Sequence, residues 1–190
     1  LILNLLVAIA IVHANMMKSH NAVYIFSFST ISSEILMIFL HLFYFAPSCF
    51  LQDFLFPEDY VEMGRKIMDV LLMICWYFGT LSHILIAINR FFTVVFYRYA
   101  IFTRRRVVYI TLLQALGCIG LAAMTQFIFP CCRLTFTYFV YTYTYLEIPG
   151  VPNYSNMFDL PLNSLATLTP LIAYSTVGFE CNSSANYLYL

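Results

Sequence analysis

Charge is what this chain has least of. Only 9% of its 190 residues are Asp, Glu, Lys or Arg, against about 25% in an ordinary soluble domain. Nine acidic and nine basic residues cancel, so there is no net field of the kind that recruits nucleic acid. The spacings HExxH, GxSxG and GxxxxGK with Ser or Thr are absent, and with them the commonest metalloprotease, hydrolase and nucleotide signatures. Intramembrane aspartyl chemistry would need two aspartates inside spans, but Asp69 and Asp159 both sit at the ends of apolar runs. The six cysteines contain no CxxC pair, and Cys131 and Cys132 are adjacent, so no zinc spacing appears. No enzyme, metal or cofactor is expected. The first residue is Leu within an apolar run, without Met or a signal peptide; the reading is a fragment whose first helix lacks its outer half.

Long apolar runs are abundant instead. The chain is 62% hydrophobic with a mean hydropathy of +0.84. From Val70 to Ile88 no Lys, Arg, Asp or Glu occurs, and a run of about 20 such residues is the length of a transmembrane helix. That run sits within an expected span over roughly Lys66–Phe92, and two others are expected over roughly Ala22–Pro47 and Val107–Pro130. Before them comes a short apolar segment, LILNLLVAIAIV. A fifth candidate, Leu160–Phe179, is weakened by Pro161, Pro170 and Gly178.

The connecting segments alternate in charge. Lys18, with His13 and His20, follows the first apolar segment; Asp53, Glu58, Asp59 and Glu62 follow the second; Arg98 and Arg104–Arg106 follow the third. Lys and Arg mark the cytoplasmic side, which puts the N-terminus outside. Asn153-Tyr154-Ser155 is then a glycosylation sequon on the outer face. Between Arg133 and Asn156, tyrosines alternate with threonine, a pattern for a short β-hairpin. Such a loop either lies across the bundle as a lid or serves as an aromatic interface belt.

Polar groups within the spans need a reason. Asn4, Ser32 and Ser33 read as interhelical glue, whereas Glu34, in mid-span, reads as functional, and with Asn4 it forms a candidate intramembrane network. His41 and His83 lie on different helices with no third ligand and read as core histidines. Asp69 is about 31 Å from Arg90 along a helix axis at the usual rise. It is either a contact at a pocket rim or a solvated helix end. Trp76, Tyr77 and Phe78 would line or flank a pocket with little charge, unless they are simple packing.

The segment SHILIAINRFFTVVF, followed by Tyr and a basic cluster, resembles the third helix of rhodopsin-like receptors. With a second span ending FLHLFYFAP and a fourth ending FIFPCC, the chain resembles the nematode serpentine chemoreceptors of class Srx over roughly residues 4–158. The resemblance implies an all-α integral membrane protein, a partial seven-transmembrane bundle with about four to five spans, over residues 1–179, followed by a polar tail, 180–190. It implies a multi-pass, plasma-membrane, G-protein-coupled chemosensory receptor. Its partners would be membrane lipid, a small-molecule ligand held in the outer half and a heterotrimeric G protein, with no nucleic acid.

By the same resemblance Arg90, flanked by Asn89 and Phe91, would engage the G protein; Asn89 stands where an acidic partner is usual. Glu34 falls near the second-helix acidic position that often binds sodium, and Asn4 matches the first-helix asparagine. Asp69, Leu72, Met73, Trp76 and Tyr77 are the candidate pocket. Leu72 and Met73 stand where amine receptors carry aspartate, which argues against an aminergic ligand. The usual cysteine at the outer end of the third helix is missing, so a tether of the second outer loop would join Cys49 to Cys131 or Cys132. Gln114 stands near a common tryptophan position. The alternatives are a channel or transporter subunit, or a non-functional truncated gene product.

Overall fold

The computed structural model describes residues 1–16, 23–96, 102–129 and 131–188, with side chains as far as residue 178. Lys18, His20 and Arg98 lie outside the described residues. Six α-helices and one β-hairpin follow in chain order: α1 (Ile2–His13), α2 (Val23–Leu40), α3 (Ala46–Leu51), α4 (Val61–Val95), α5 (Arg104–Ala123), β1 (Leu134–Thr137), β2 (Thr142–Tyr145) and α6 (Tyr154–Leu188). Among the described residues three helical stretches are long and apolar enough to cross a membrane: Val23–Leu51, Glu58–Val95 and Arg104–Ile128.

α2 and α3 are one rod with a wider turn in the middle. Pro47 sits in the first turn of α3 and has no N–H to give the carbonyl four residues back. The helix passes this point through a π turn over His41–Phe45, closed by the Ala46 N–H bonding to the His41 carbonyl. That turn buries Tyr44 and Phe45. α5 likewise ends in a π turn, Met124–Ile128, closed by Phe129 N–H on the Met124 carbonyl at 3.0 Å.

α4 is the axis of the bundle and packs against α2, α5 and α6, while α1 packs on α2. Its 35 residues span about 52 Å at 1.5 Å per residue, well beyond a hydrocarbon core of about 30 Å. Its outer turns therefore rise past the apolar layer, where Glu62 and Lys66 pair at 2.7 Å across one exposed turn.

Packing is arranged for lipid. The faces turned inward carry small residues, with Ala87, Cys118 and Ala122 all fully buried, which lets the helix backbones approach closely. The large side chains of α5, among them Tyr109, Leu113 and Leu116, face outward. Short polar links join the helices: Ser33 donates to the Cys75 carbonyl at 3.3 Å, and Gln114 Nε2 donates to Ser82 Oγ at 2.7 Å and to the Phe78 carbonyl at 2.9 Å. Asn4 Nδ2 donates to Glu34 Oε2 at 3.1 Å, linking α1 to α2. His41 is a bonded core residue, but His83 is exposed on the outer surface of α4, contrary to the expectation for it.

α6 forms through both Pro161 and Pro170. The expected weakening of this helix is therefore not what the backbone does. Its described part is nonetheless not among the three membrane-length apolar stretches.

One close contact controls the outer end of α4. A Cβ on Gly64 would lie 2.5 Å from the Phe56 ring, which packs on Tyr44 at 5.3 Å between centroids. Gly64→Ala should lower the melting temperature of the detergent-solubilised protein, because overpacking of about 1–3 kcal/mol exceeds the roughly 1 kcal/mol gained in helix propensity. Gly117→Ala, with nothing within 4 Å of its Cβ, should be neutral or stabilising. A Gly64→Ala protein as stable as the wild type would contradict this packing.

Candidate ligand pocket and inner face

The hairpin pairs Leu134 with Tyr145 and Phe136 with Tyr143 in antiparallel register. Alternation turns these four apolar side chains one way, toward the helices. Phe136 stacks against Phe45 at 4.7 Å and Tyr143 against Phe45 at 5.2 Å. Together with Leu40, Tyr44 and Leu72 they make the largest buried cluster. The hairpin thus lies across one end of the described helices, which is the lid alternative of the two left open by its sequence.

Two carboxylates hold the lid. Asp69, on α4, is 3% exposed. Its Oδ2 accepts the Thr135 hydroxyl at 2.7 Å and its Oδ1 accepts the Phe136 backbone N–H at 3.2 Å. It is neither a solvated helix end nor a rim contact: it satisfies an edge of β1 that would otherwise be an orphan donor in an apolar place. Asp159, on α6, is 6% exposed. It accepts Tyr77 Oη on Oδ1 at 2.7 Å and Tyr145 Oη on Oδ2 at 2.6 Å, so that α4, β2 and α6 meet on one group.

Beneath the lid lies a cavity of about 280 Å³, walled by Met37, His41, Leu72, Met73, Trp76, Leu134, Tyr143, Tyr145, Asp159 and Asn163. Of the five residues expected to form a pocket, Leu72, Met73 and Trp76 line it. Asp69 and Tyr77 do not; each holds a wall in place instead. Its polar groups are mutually engaged. His41 Nδ1 donates to the Met37 carbonyl at 2.8 Å, and its Nε2 lies 3.2 Å from the Tyr143 phenol oxygen. Burial pushes the Tyr143 phenol well above its ordinary pKa, and the Asp69 carboxylate adds to the shift. Burial does the same for Tyr145, reinforced by its hydrogen bond to Asp159. Both phenols therefore stay neutral donors. Sequence reasoning missed Asp159, Asn163 and His41 as pocket residues. The available signal was a lone acid four residues before an Asn in an otherwise apolar stretch, which puts both on one helix face.

The expected disulfide is corrected. Cys131 and Cys132 are joined to each other, and Cys49 is a half-buried free thiol. The outer loop is held by hydrogen bonds to Asp69 and Asp159, not by a covalent link to Cys49. Asn153 caps α6, its Oδ1 accepting the Asn156 N–H at 2.9 Å.

At the other end of α4, Asn89 is buried and Arg90 exposed. The Arg90 guanidinium lies 5.6 Å above the Tyr174 ring of α6, a cation–π distance. Phe91 packs with Phe92 at 5.8 Å and Phe96 at 6.1 Å. Arg104, Arg105 and Arg106 open α5. Cations at a helix N-terminus oppose its dipole, so intrahelical electrostatics do not explain their placement. Among the described residues no cluster of His, Cys, Asp or Glu could hold a metal ion.

The anchoring role of Asp69 has a direct test. Arg133 is the only Lys or Arg after Arg106, so trypsin reads the opening of the loop at one bond. Asp69→Ala removes two hydrogen bonds to a carboxylate, each of about 1.5–3 kcal/mol. It should speed cleavage after Arg133 roughly tenfold or more, with Asp69→Asn intermediate. Cleavage unchanged in a folded Asp69→Ala protein would remove Asp69 from this role.

No curated protein matches the chain significantly. The family described as serpentine type 7TM GPCR chemoreceptor Srx matches residues 1–182. The three membrane-length apolar helices and that match agree: the chain is an integral membrane protein that belongs to the Srx family of serpentine chemoreceptors.

Proposed function

We propose that the chain senses a small molecule in the cavity beneath the hairpin and passes the signal to a heterotrimeric G protein through the inner end of α4. The observation that carries this reading is that one helix bears both features. Leu72, Met73 and Trp76 of α4 line the cavity, and Asn89, Arg90 and Phe91 of α4 stand some four turns further along the same helix. A ligand binding one arrangement of α4, α6 and the hairpin better than another would shift the bundle between them. The Arg90–Tyr174 contact at 5.6 Å joins α4 and α6 at the opposite end. It lies where such a shift would be felt. The sodium-type role of Glu34 is left aside, since its hydrogen bond to Asn4 already accounts for it as a link between α1 and α2.

The protein sits in the plasma membrane with its N-terminus and hairpin outside and the Arg104–Arg106 cluster inside. Support comes from the alternation of loop charge along the chain.

Two measurements test this. In cells with a G-protein reporter, Arg90→Ala should reduce activation roughly tenfold or more, the scale of losing an interface hot spot of about 2 kcal/mol, while surface expression holds. Full activation by a well-expressed mutant would refute the coupling role. In microsomes, Asn153 should carry glycan and Asn182 should not. Modification of Asn182 would place the far end of α6 outside and break the topology.

A further inference from the structure

Asp159 presents an electrostatic problem that its neighbours only partly solve. It is 6% exposed and lines the cavity. Two phenols donate to it, but among the described residues no ion pair reaches either oxygen. His41, also in the lining, has its Nδ1 bonded to the Met37 carbonyl and its Nε2 at the Tyr143 phenol. An anion removed from water without a counter-charge is costly even when hydrogen-bonded. Each carboxylate oxygen uses one of its acceptor positions on a tyrosine and keeps another. The lining that holds this acid also holds Trp76, Tyr143 and Tyr145, and indole and phenol faces attract cations.

We infer that the cavity takes a small organic cation, an ammonium group set against Asp159 with its apolar body against Trp76, Leu72 and Met73. The inference rests on the cavity's being a ligand site and supplies the chemistry of what enters it. It also reverses the expectation drawn from Leu72 and Met73, because the acid comes from α6 and not from α4. A volume of about 280 Å³ sits at the small end of ligand pockets and suits a one-ring amine. Asn163, one turn along α6 from Asp159 and also in the lining, offers a neutral donor and acceptor for a second polar group on the same molecule.

Trp76 is the single tryptophan of the chain and lines the cavity, so its fluorescence reports occupancy directly. The full chain in nanodiscs is titrated with 2-phenylethylammonium and, separately, with 2-phenylethanol, its neutral counterpart. The expected result is a saturable change in Trp76 emission with a Kd for the ammonium roughly 30-fold or more below that for the alcohol, the scale of a buried charge pair. In Asp159→Asn, which keeps an acceptor for a phenol, that preference should disappear. Equal affinity for the two probes in the wild type, which needs no mutant to fold, would overturn the inference, and so would a preference that survives in Asp159→Asn or no saturable signal with either. Equal binding of both probes would leave the cavity as a ligand site and remove only the charge requirement. Failure of the receptor reading would show instead in the Arg90→Ala signalling assay.

Discussion

A carboxylate placed in an apolar interior must be met by donors, and in this protein that requirement arises twice at the hairpin end of the bundle. Asp69 is met by the Thr135 hydroxyl and the Phe136 N–H, Asp159 by the Tyr77 and Tyr145 phenols. Because the donors come from the hairpin and from α4, satisfying the two acids fixes where the hairpin lies. Once it lies there, Phe136 and Tyr143 complete the cluster built on Tyr44 and Phe45. The cavity is the space left between that cluster and α6. Removing either acid would not only cost its own hydrogen bonds; it would release the element that makes the cavity a cavity.

Elsewhere the helices are held by weaker means suited to lipid. With hydrocarbon outside, burying a leucine gains little, and association depends on close backbone approach and short polar links. Ala87, Cys118 and Ala122 provide the first, and Ser82, Gln114, Ser33 and Asn4 provide the second. This division leaves the Arg90 end of α4 lightly braced. Arg90 is exposed there, with an aromatic neighbour, Tyr174, in place of an acid.

The spans were legible because hydropathy and loop charge are bulk properties of a segment. The helical stretches Val23–Leu51 and Arg104–Ile128 start and stop close to the expected runs, while α4, Val61–Val95, extends past its run at both ends. The hairpin was legible from the alternation of Tyr and Thr, and the family from the run through Asn89 and Arg90. What could not be read was which polar groups meet. Asp69 lies 66 residues from Thr135 and Tyr77 lies 82 from Asp159, so nothing local marks them as partners. Asp69 therefore looked like a helix end, and the cysteines looked like the obvious tether. The backbone placed Cys131 against Cys132 and left Cys49 alone. The prolines of α6 misled for a related reason. Their cost is a missing backbone bond, and the helix carries it at both Pro161 and Pro170.

If hydrogen bonds to carboxylates, and not disulfide chemistry, hold the outer loop in place, reduction should leave it where it is. Hydrogen exchange at the Phe136 amide, bonded to Asp69 at 3.2 Å, measures this on the intact protein before and after treatment with a thiol reductant. The hydrogen-bonded anchor predicts slow exchange at Phe136 that is unchanged on reduction. Exchange that becomes fast once the cysteines are reduced would show that a disulfide, and not Asp69, is what keeps the hairpin over the cavity.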